Sequence, residues 1–366
     1  MTLSRRAFAQ ILGAGAAAAA VPMPHLFAVP PPKPRAADGV VRLNANENPY
    51  GPSAAAIAAM RDAFGAASRY PDDEAEQLTA DVAKLHGLAA EEVILGDGSS
   101  EILKLVAAAY TSPSRSVVIA DPTFEAIAHY AKASGADVVK VPLDAAYAHD
   151  LGKMAPAGAG VVYVCNPNNP TGSITPKAAL RSFLDSVPPA TVVLVDEAYH
   201  HYVTSSDYES VAPLVKSKPN LIVARTFSKI YGMAGLRAGY ALANRDTIKK
   251  LDAQKSWDTM NVMALVAARA SLADGGFVGN GRRRNAETRA HVVDRLGAMG
   301  YKTIPSEANF VMIDLRRDVK PVIAGMRTHG VHVGRLFPAL PHHLRVTIGT
   351  PAEMQQFVDA FRRIEK

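Results

Sequence analysis

Residues 226–240 read TFSKIYGMAGLRAGY. One lysine, Lys229, follows the apolar run Leu221, Ile222, Val223 and Ala224, and the next cation downstream, Arg237, lies eight positions on. Lysines ordinarily occupy solvated faces. A short continuous apolar run is the pattern of a strand covered on both sides, and in sheets of such strands ligands bind beyond the carboxyl ends. Lys229 therefore stands where a strand delivers side chains to a site.

The surrounding sequence repeats this texture. Buried-strand runs occur at 93–95, 117–120, 138–141, 161–165 and 192–195, and 239–243 offers a further strand. Helical patterns lie between several of them: an Ala-rich stretch over 53–64, then a helix capped by Asp72 and Asp73, with Leu78, Val82 and Leu85 on one face and Gly87 at its end. Thr175-Pro176 opens another, with Pro176 at the first helical position and Leu180, Phe183, Leu184 and Val187 inward. The alternation predicts an α/β fold with a mainly parallel central sheet sandwiched by helices. Past Gly281 a helix through Val293 and Leu296 precedes strands at 301–304, 309–314, 331–333 and 344–348 and a last helix from Pro351. That predicts a smaller α+β domain. The expected division is a large domain over 53–280 and a small one from 38–52 with 281–366. No internal repeat is visible.

With 366 residues, 48% hydrophobic and 20% charged, the chain has the composition of an ordinary globular protein. Cys165 is the only cysteine, so no intramolecular disulfide forms. Of the net charge of +6, residues 1–37 supply +4 through Arg5, Arg6, Lys33 and Arg35. The basic run Arg282-Arg283-Arg284 lacks interleaved aromatics and a second cluster, so it predicts a solvated helix start and no nucleic-acid partner. Residues 1–37 have the form of a twin-arginine export signal and Pro-rich linker: Ser4-Arg5-Arg6, Phe8, then a mildly apolar run from Ile11 to Val21. A run of that length is short of the ~20 residues that span a bilayer. A removed signal to the periplasm is expected, with no stable membrane anchor. The twin-arginine route carries folded proteins and suits an enzyme that loads a cofactor before export.

Four segments put polar residues at strand ends: GDGSSEILKL (96–105), CNPNNPTG (165–172), VDEAYHHY (195–202) and TFSK (226–229). Gly98, Ser99 and Ser100 open a helix, where free backbone N–H groups and the helix dipole favour an anion. Many such turns are only caps. Lys229 beside a phosphate-sized anion site is placed to form a Schiff base, since desolvation makes its amine nucleophilic. Asp196 stands where an aldehyde cofactor's pyridine nitrogen would lie, and a pyridinium is a suitable partner for a buried carboxylate.

Together NPNNPTG, VDEAY and TFSKIYGMAGLRAGY resemble the fold-type I pyridoxal-phosphate aminotransferases, nearest the histidinol-phosphate aminotransferase branch. NANENPYGPS (44–53), RYPD (69–72) and LRVTIGT (344–350) extend the likeness over about 40–365. The resemblance implies that Lys229 is the Schiff-base lysine and proton shuttle, and that Asp196 holds the pyridine nitrogen. It implies that Tyr199 and Asn169 bond the ring oxygen, and that Gly98, Ser99, Ser100, Thr226, Ser228 and Arg237 bind the phosphate. Phe124 would stack on the ring, Arg345 would clamp a substrate carboxylate together with Asn169, and Tyr70 would reach the neighbouring site of a homodimer. The lesser alternative is that Tyr199 and Phe124 are core aromatics and Ser228 a turn residue. No metal is implied. His200 and His201 are read as packing or solvent-facing residues that point apart on a strand.

The chain departs from the branch at Gly334, where an arginine is usual and Arg335 follows one place later; such a slip turns a strand side chain to the other face. It departs again in KSWDTMNVM (255–263) and at His200-His201. With the export signal, these changes predict an aminotransferase acting on a small amino acid and a 2-oxo acid, and not on histidinol phosphate. The competing reading is a racemase, lyase or oxidase using the same site. A regulator of this fold would need a DNA-binding domain that residues 1–37 have no room for.

Overall fold

The computed structural model describes residues 39–154 and 158–365. The chain falls into two units, Met1–Val40 and Val41–Lys366, and the fold is that of the second. The export signal and linker expected over 1–37 lie outside the described residues.

The first half of the fold runs β1 (Val41–Arg42), α1 (Ala54–Asp62), α2 (Asp72–His86), β2 (Val93–Asp97), α3 (Gly98–Tyr110), β3 (Ser116–Asp121), α4 (Ala126–Ala133), β4 (Val138–Pro142), β5 (Ala159–Cys165) and α5 (Lys177–Ser186). It continues through β6 (Val192–Asp196), β7 (Leu221–Thr226), β8 (Ala238–Leu242), α6 (Arg245–Asp252), α7 (Val262–Ala273) and α8 (Phe277–Ala298). It closes with β9 (Lys302–Ile304), β10 (Phe310–Asp314), α9 (Val319–Thr328), β11 (Val331–His332), β12 (His343–Thr347) and α10 (Pro351–Ile364).

Seven strands form the main sheet in the order β2-β8-β7-β6-β5-β3-β4. Its neighbours pair in parallel except at β8, which runs antiparallel to both β2 and β7. The further strand expected at 239–243 is thus real but reversed, and it lies inside the sheet. The carboxyl ends of β2, β3, β5, β6 and β7 consequently meet the start of β8 along one edge.

Both faces of the sheet are covered. Val162, Val164, Val193, Val195 and Val223 pack into one core layer. Val161, Tyr163, Cys165, Leu194 and Ala224 pack into the other. Every residue of β5 is buried, which is why its sequence shows no polar alternation. A third core gathers Val311, Ile313, Leu344 and Val346 beneath Phe357 and Phe361 of α10. It supports the antiparallel sheet β12-β10-β9, beside the parallel pair β1-β11.

Three local expectations are corrected. Asp72 and Asp73 lie in the first turn of α2, with Pro71 at the cap and no side-chain capping bond, so they act on the helix dipole alone. Pro176 is the cap of α5 and not its first helical residue. Arg282-Arg283-Arg284 is exposed as expected but sits inside α8, which begins at Phe277.

Candidate active site

The sheet edge opens into a cavity of about 280 Å³. At one end Ser99 and Ser100 present the N-terminus of α3, facing Thr226, Ser228 and Arg237. Arg237 Nη1 donates to Ser228 Oγ at 3.4 Å and to the Ala234 carbonyl at 3.1 Å, and Nη2 donates to the Asp97 carbonyl at 3.4 Å. The guanidinium lies directly against Gly98: a Cβ there would sit 2.1 Å from Nη2. Only glycine lets this cation reach the helix terminus. Cation, hydroxyls and dipole together form an anion seat.

Asp196, at the end of β6, is 2% exposed. Its Oδ2 accepts from the Tyr163 hydroxyl at 2.9 Å and its Oδ1 from the Ala198 amide at 3.1 Å. Burial pushes the carboxyl up to about 6, against the pull of these two donors and of Lys229. Lys229 Nζ donates to the carbonyls of Asn46, at 3.2 Å, and Ala45, at 3.4 Å, and lies 5.5 Å from the centre of the Tyr199 ring. Burial lowers its pKa to about 8; Arg345 and Arg237 add to the effect, and Glu47 and Asp196 oppose it. Tyr199, packed edge-on to Phe310, accepts from Asn46 Nδ2 at 3.1 Å.

Arg345 comes from β12, where Leu344 and Val346 face the core and Arg345 and Thr347 face the cavity side. Its Nη1 donates to Asn169 Oδ1 at 2.7 Å and its Nη2 to the Asn44 carbonyl at 2.9 Å. Its buried Nε has no partner among the described residues. Asn169 is free to face the cavity because its neighbour Asn168 holds the loop, accepting from Thr123 at 2.8 Å and donating to Thr171 at 2.8 Å.

The expected residues Lys229, Asp196, Tyr199, Asn169, Ser99, Ser100, Phe124, Thr226, Ser228, Arg237 and Arg345 all line this one cavity. Gly98 stands behind Arg237. Tyr70 does not join them: it is 79% exposed. His200 and His201 are packing residues, one of the two readings expected, but the geometry given for them fails: they lie on a 3-10 turn, not a strand, so their rings do not point apart, and the centroids are 3.7 Å apart. His201 packs beside Tyr231, and burial holds both histidines' pKa values well below the ordinary range. The one-residue slip left open whether Arg335 faces the site or solvent; β11 ends at His332, so strand parity does not reach it, and Arg335 lines the cavity. Gly334 is there because a Cβ would lie 2.7 Å from the Arg345 carbonyl oxygen, to which Gly334 N donates at 2.8 Å.

Sequence reasoning missed Tyr163 and Asn46. Asn46, with a φ of 54°, receives Lys229, supports Tyr199 and is fixed by Thr347 Oγ1 at 2.9 Å from its amide. The NANEN segment holding it is visible in the sequence, but its partners lie 153 to 301 positions away.

The residues present fit a phosphorylated pyridine aldehyde: an anion seat, a buried carboxylate, and an amine of lowered pKa within one cavity. These are the parts of a pyridoxal-phosphate enzyme of fold type I. The chain belongs to the class I and II aminotransferases, whose family matches residues 38–361. It is 41% identical over 331 residues to the histidinol-phosphate aminotransferase of Moorella thermoacetica, covering 89% of this chain and 85% of the relative. It is 40% identical over 327 residues to that of Symbiobacterium thermophilum, covering 88% and 90%. The crystal structure of histidinol-phosphate aminotransferase from Sinorhizobium meliloti in complex with pyridoxal-5'-phosphate matches with a TM-score of 0.84 at 28% identity, covering 89% of this chain and 90% of that one. The chain is thus a pyridoxal-5'-phosphate-dependent aminotransferase.

Proposed function

We propose that this aminotransferase moves the amino group of a small amino acid, and not that of the amino-alcohol ester histidinol phosphate, onto a 2-oxo acid, and that it does so after export. The observation behind the substrate reading is Arg335. It is an exposed cation among those lining the cavity, and Glu125 already pairs with it at 2.8 Å while the guanidinium lies 4.4 Å from the Phe337 ring centre. A cation this exposed and already paired gives any anion, a phosphate or an acidic side chain, only the weak hold of a surface ion pair, too little to anchor a substrate by its phosphate.

Bound pyridoxal 5'-phosphate supplies a carbonyl for amine exchange and a ring that takes up the electrons released at the substrate's α-carbon. The chain's own groups do the rest. Lys229 Nζ holds the cofactor and carries the substrate's α-proton. Asp196 keeps the pyridine nitrogen protonated. Tyr199 and Asn169 meet the ring oxygen, Phe124 covers the ring, and Arg237 with the serines and Thr226 seats the phosphate. Arg345 takes the substrate carboxylate. Tyr70 belongs to a homodimer, reaching the neighbouring site.

A keto-acid-dependent half-reaction screen over L- and D-amino acids, with histidinol phosphate alongside, tests the substrate reading. Activity confined to histidinol phosphate would sink it, and racemisation without a keto acid would favour the competing chemistry. Arg335→Ala should lower kcat/KM for acidic amino acids about 2–5-fold, as for an exposed ion pair, and leave neutral ones unchanged. For export, Arg5→Lys with Arg6→Lys should leave the protein in the cytosol, folded and yellow. Unchanged export of that variant would refute the twin-arginine reading.

A further inference from the structure

We propose that Tyr163 is a positioning residue for the cofactor ring: its phenol fixes one oxygen of Asp196 so that the carboxylate faces the pyridine nitrogen in a single orientation. The inference rests on the assignment of Asp196 to that nitrogen.

The register of β5 on β6 carries it. Tyr163 pairs with Leu194, and Cys165 pairs with Asp196. Side chains alternate along a strand, so Tyr163, Cys165, Leu194 and Asp196 share one face of the sheet. Tyr163 and Asp196 are then diagonal neighbours on adjacent strands. An aromatic side chain spans that diagonal and an aliphatic one of the same strand does not. The hydroxyl arrives at 2.9 Å from Asp196 Oδ2.

Packing alone does not account for this residue. Tyr163 is 0% exposed, in a layer otherwise apolar around Ile119, Leu194 and Ile222. A phenylalanine would fill that space without a polar atom to satisfy. A buried hydroxyl needs a partner, and here it finds the carboxylate that the site depends on. Burial first, then Asp196, pushes the phenol's pKa well above its ordinary value, so it remains a donor throughout the working range. The Ala198 amide holds the other oxygen at 3.1 Å. With both oxygens held from within the protein, the carboxylate cannot rotate, and its charged form gains a charge-assisted bond.

Tyr163→Phe removes one oxygen atom and keeps the ring. In holoenzyme carrying ¹⁵N-labelled pyridoxal 5'-phosphate, the nitrogen's chemical shift followed against pH reports its protonation. The variant should lose the nitrogen's proton about one to two pH units earlier than the wild type, the loss expected for one hydrogen bond to a charged group. Its cofactor dissociation constant should rise roughly ten- to a hundredfold. Asp196→Asn is the reference. If Asp196→Asn moves both readouts and Tyr163→Phe moves neither, whatever its melting temperature does, Tyr163 is only a core aromatic and the proposal is overturned. If Asp196→Asn moves neither, the assignment of Asp196 itself falls, and this proposal with it.

Discussion

Lys229→Ala should lose at least about 10²–10⁴-fold in turnover, the ordinary worth of a positioned proton carrier, because the same amine is asked to hold the cofactor and to move the substrate's α-proton. Both tasks need the neutral amine. An ordinary lysine has a pKa of about 10.4, so about 0.4% of it is neutral at pH 8. Burial brings Lys229 to about 8, where half is neutral. The sign follows: a lowered pKa means the proton leaves as pH rises through about 8, so cofactor capture by the cofactor-free wild type should quicken with pH and level off above that value. The variant should show no such rise. A midpoint near 10 in the wild type would show that the amine is not desolvated. Borohydride treatment of the holoenzyme, followed by peptide mapping, should leave the cofactor's mass on Lys229. An adduct on any other lysine, or none, would overturn the assignment.

How far the sequence carried this account depends on which geometry each residue needed. Asp196 and Lys229 were legible because a polar residue ending an apolar run has one place to go in a covered sheet. The same covering hid Tyr163. In VVYVC every residue is buried, so no alternation tells which face the tyrosine takes, and only the register with β6 sets it diagonal to Asp196. The direction of β8 was hidden likewise, since an apolar run carries no arrow. For Arg335 and the histidine pair the argument from strand geometry failed for a single reason. Strand parity was applied to residues that lie just past a strand or on a tight turn, where side-chain direction follows local backbone angles. Asn46 was out of reach altogether, because its role exists only once residues 301 positions apart in sequence have met.

Arg345→Ala should lower kcat/KM for every amino-acid substrate by a similar factor, because the carboxylate it meets is common to all of them. The loss of one partner from a buried, hydrogen-bonded charge pair costs about 2–5 kcal/mol, or roughly 30- to 4,000-fold. The structure favours the upper part of this range. Phe310 and Phe337 flank the guanidinium, with ring centres at 5.6 and 5.2 Å, and Asn169 and the Asn44 carbonyl take one bond each from its two terminal nitrogens. The side chain is therefore held in place before any substrate arrives, and donors remain, the buried Nε among them. Arg345→Lys should also be damaging, since a point charge cannot span both oxygens of a carboxylate or keep the bonds to Asn169 and Asn44. Arg335 gives the contrast. It is exposed and already paired with Glu125, so its loss should be small and confined to acidic side chains. The measurement is kcat/KM for neutral and acidic amino acids in both alanine variants. A uniform collapse on losing Arg335, with Arg345→Ala nearly silent, would show that the carboxylate is held by the other arginine.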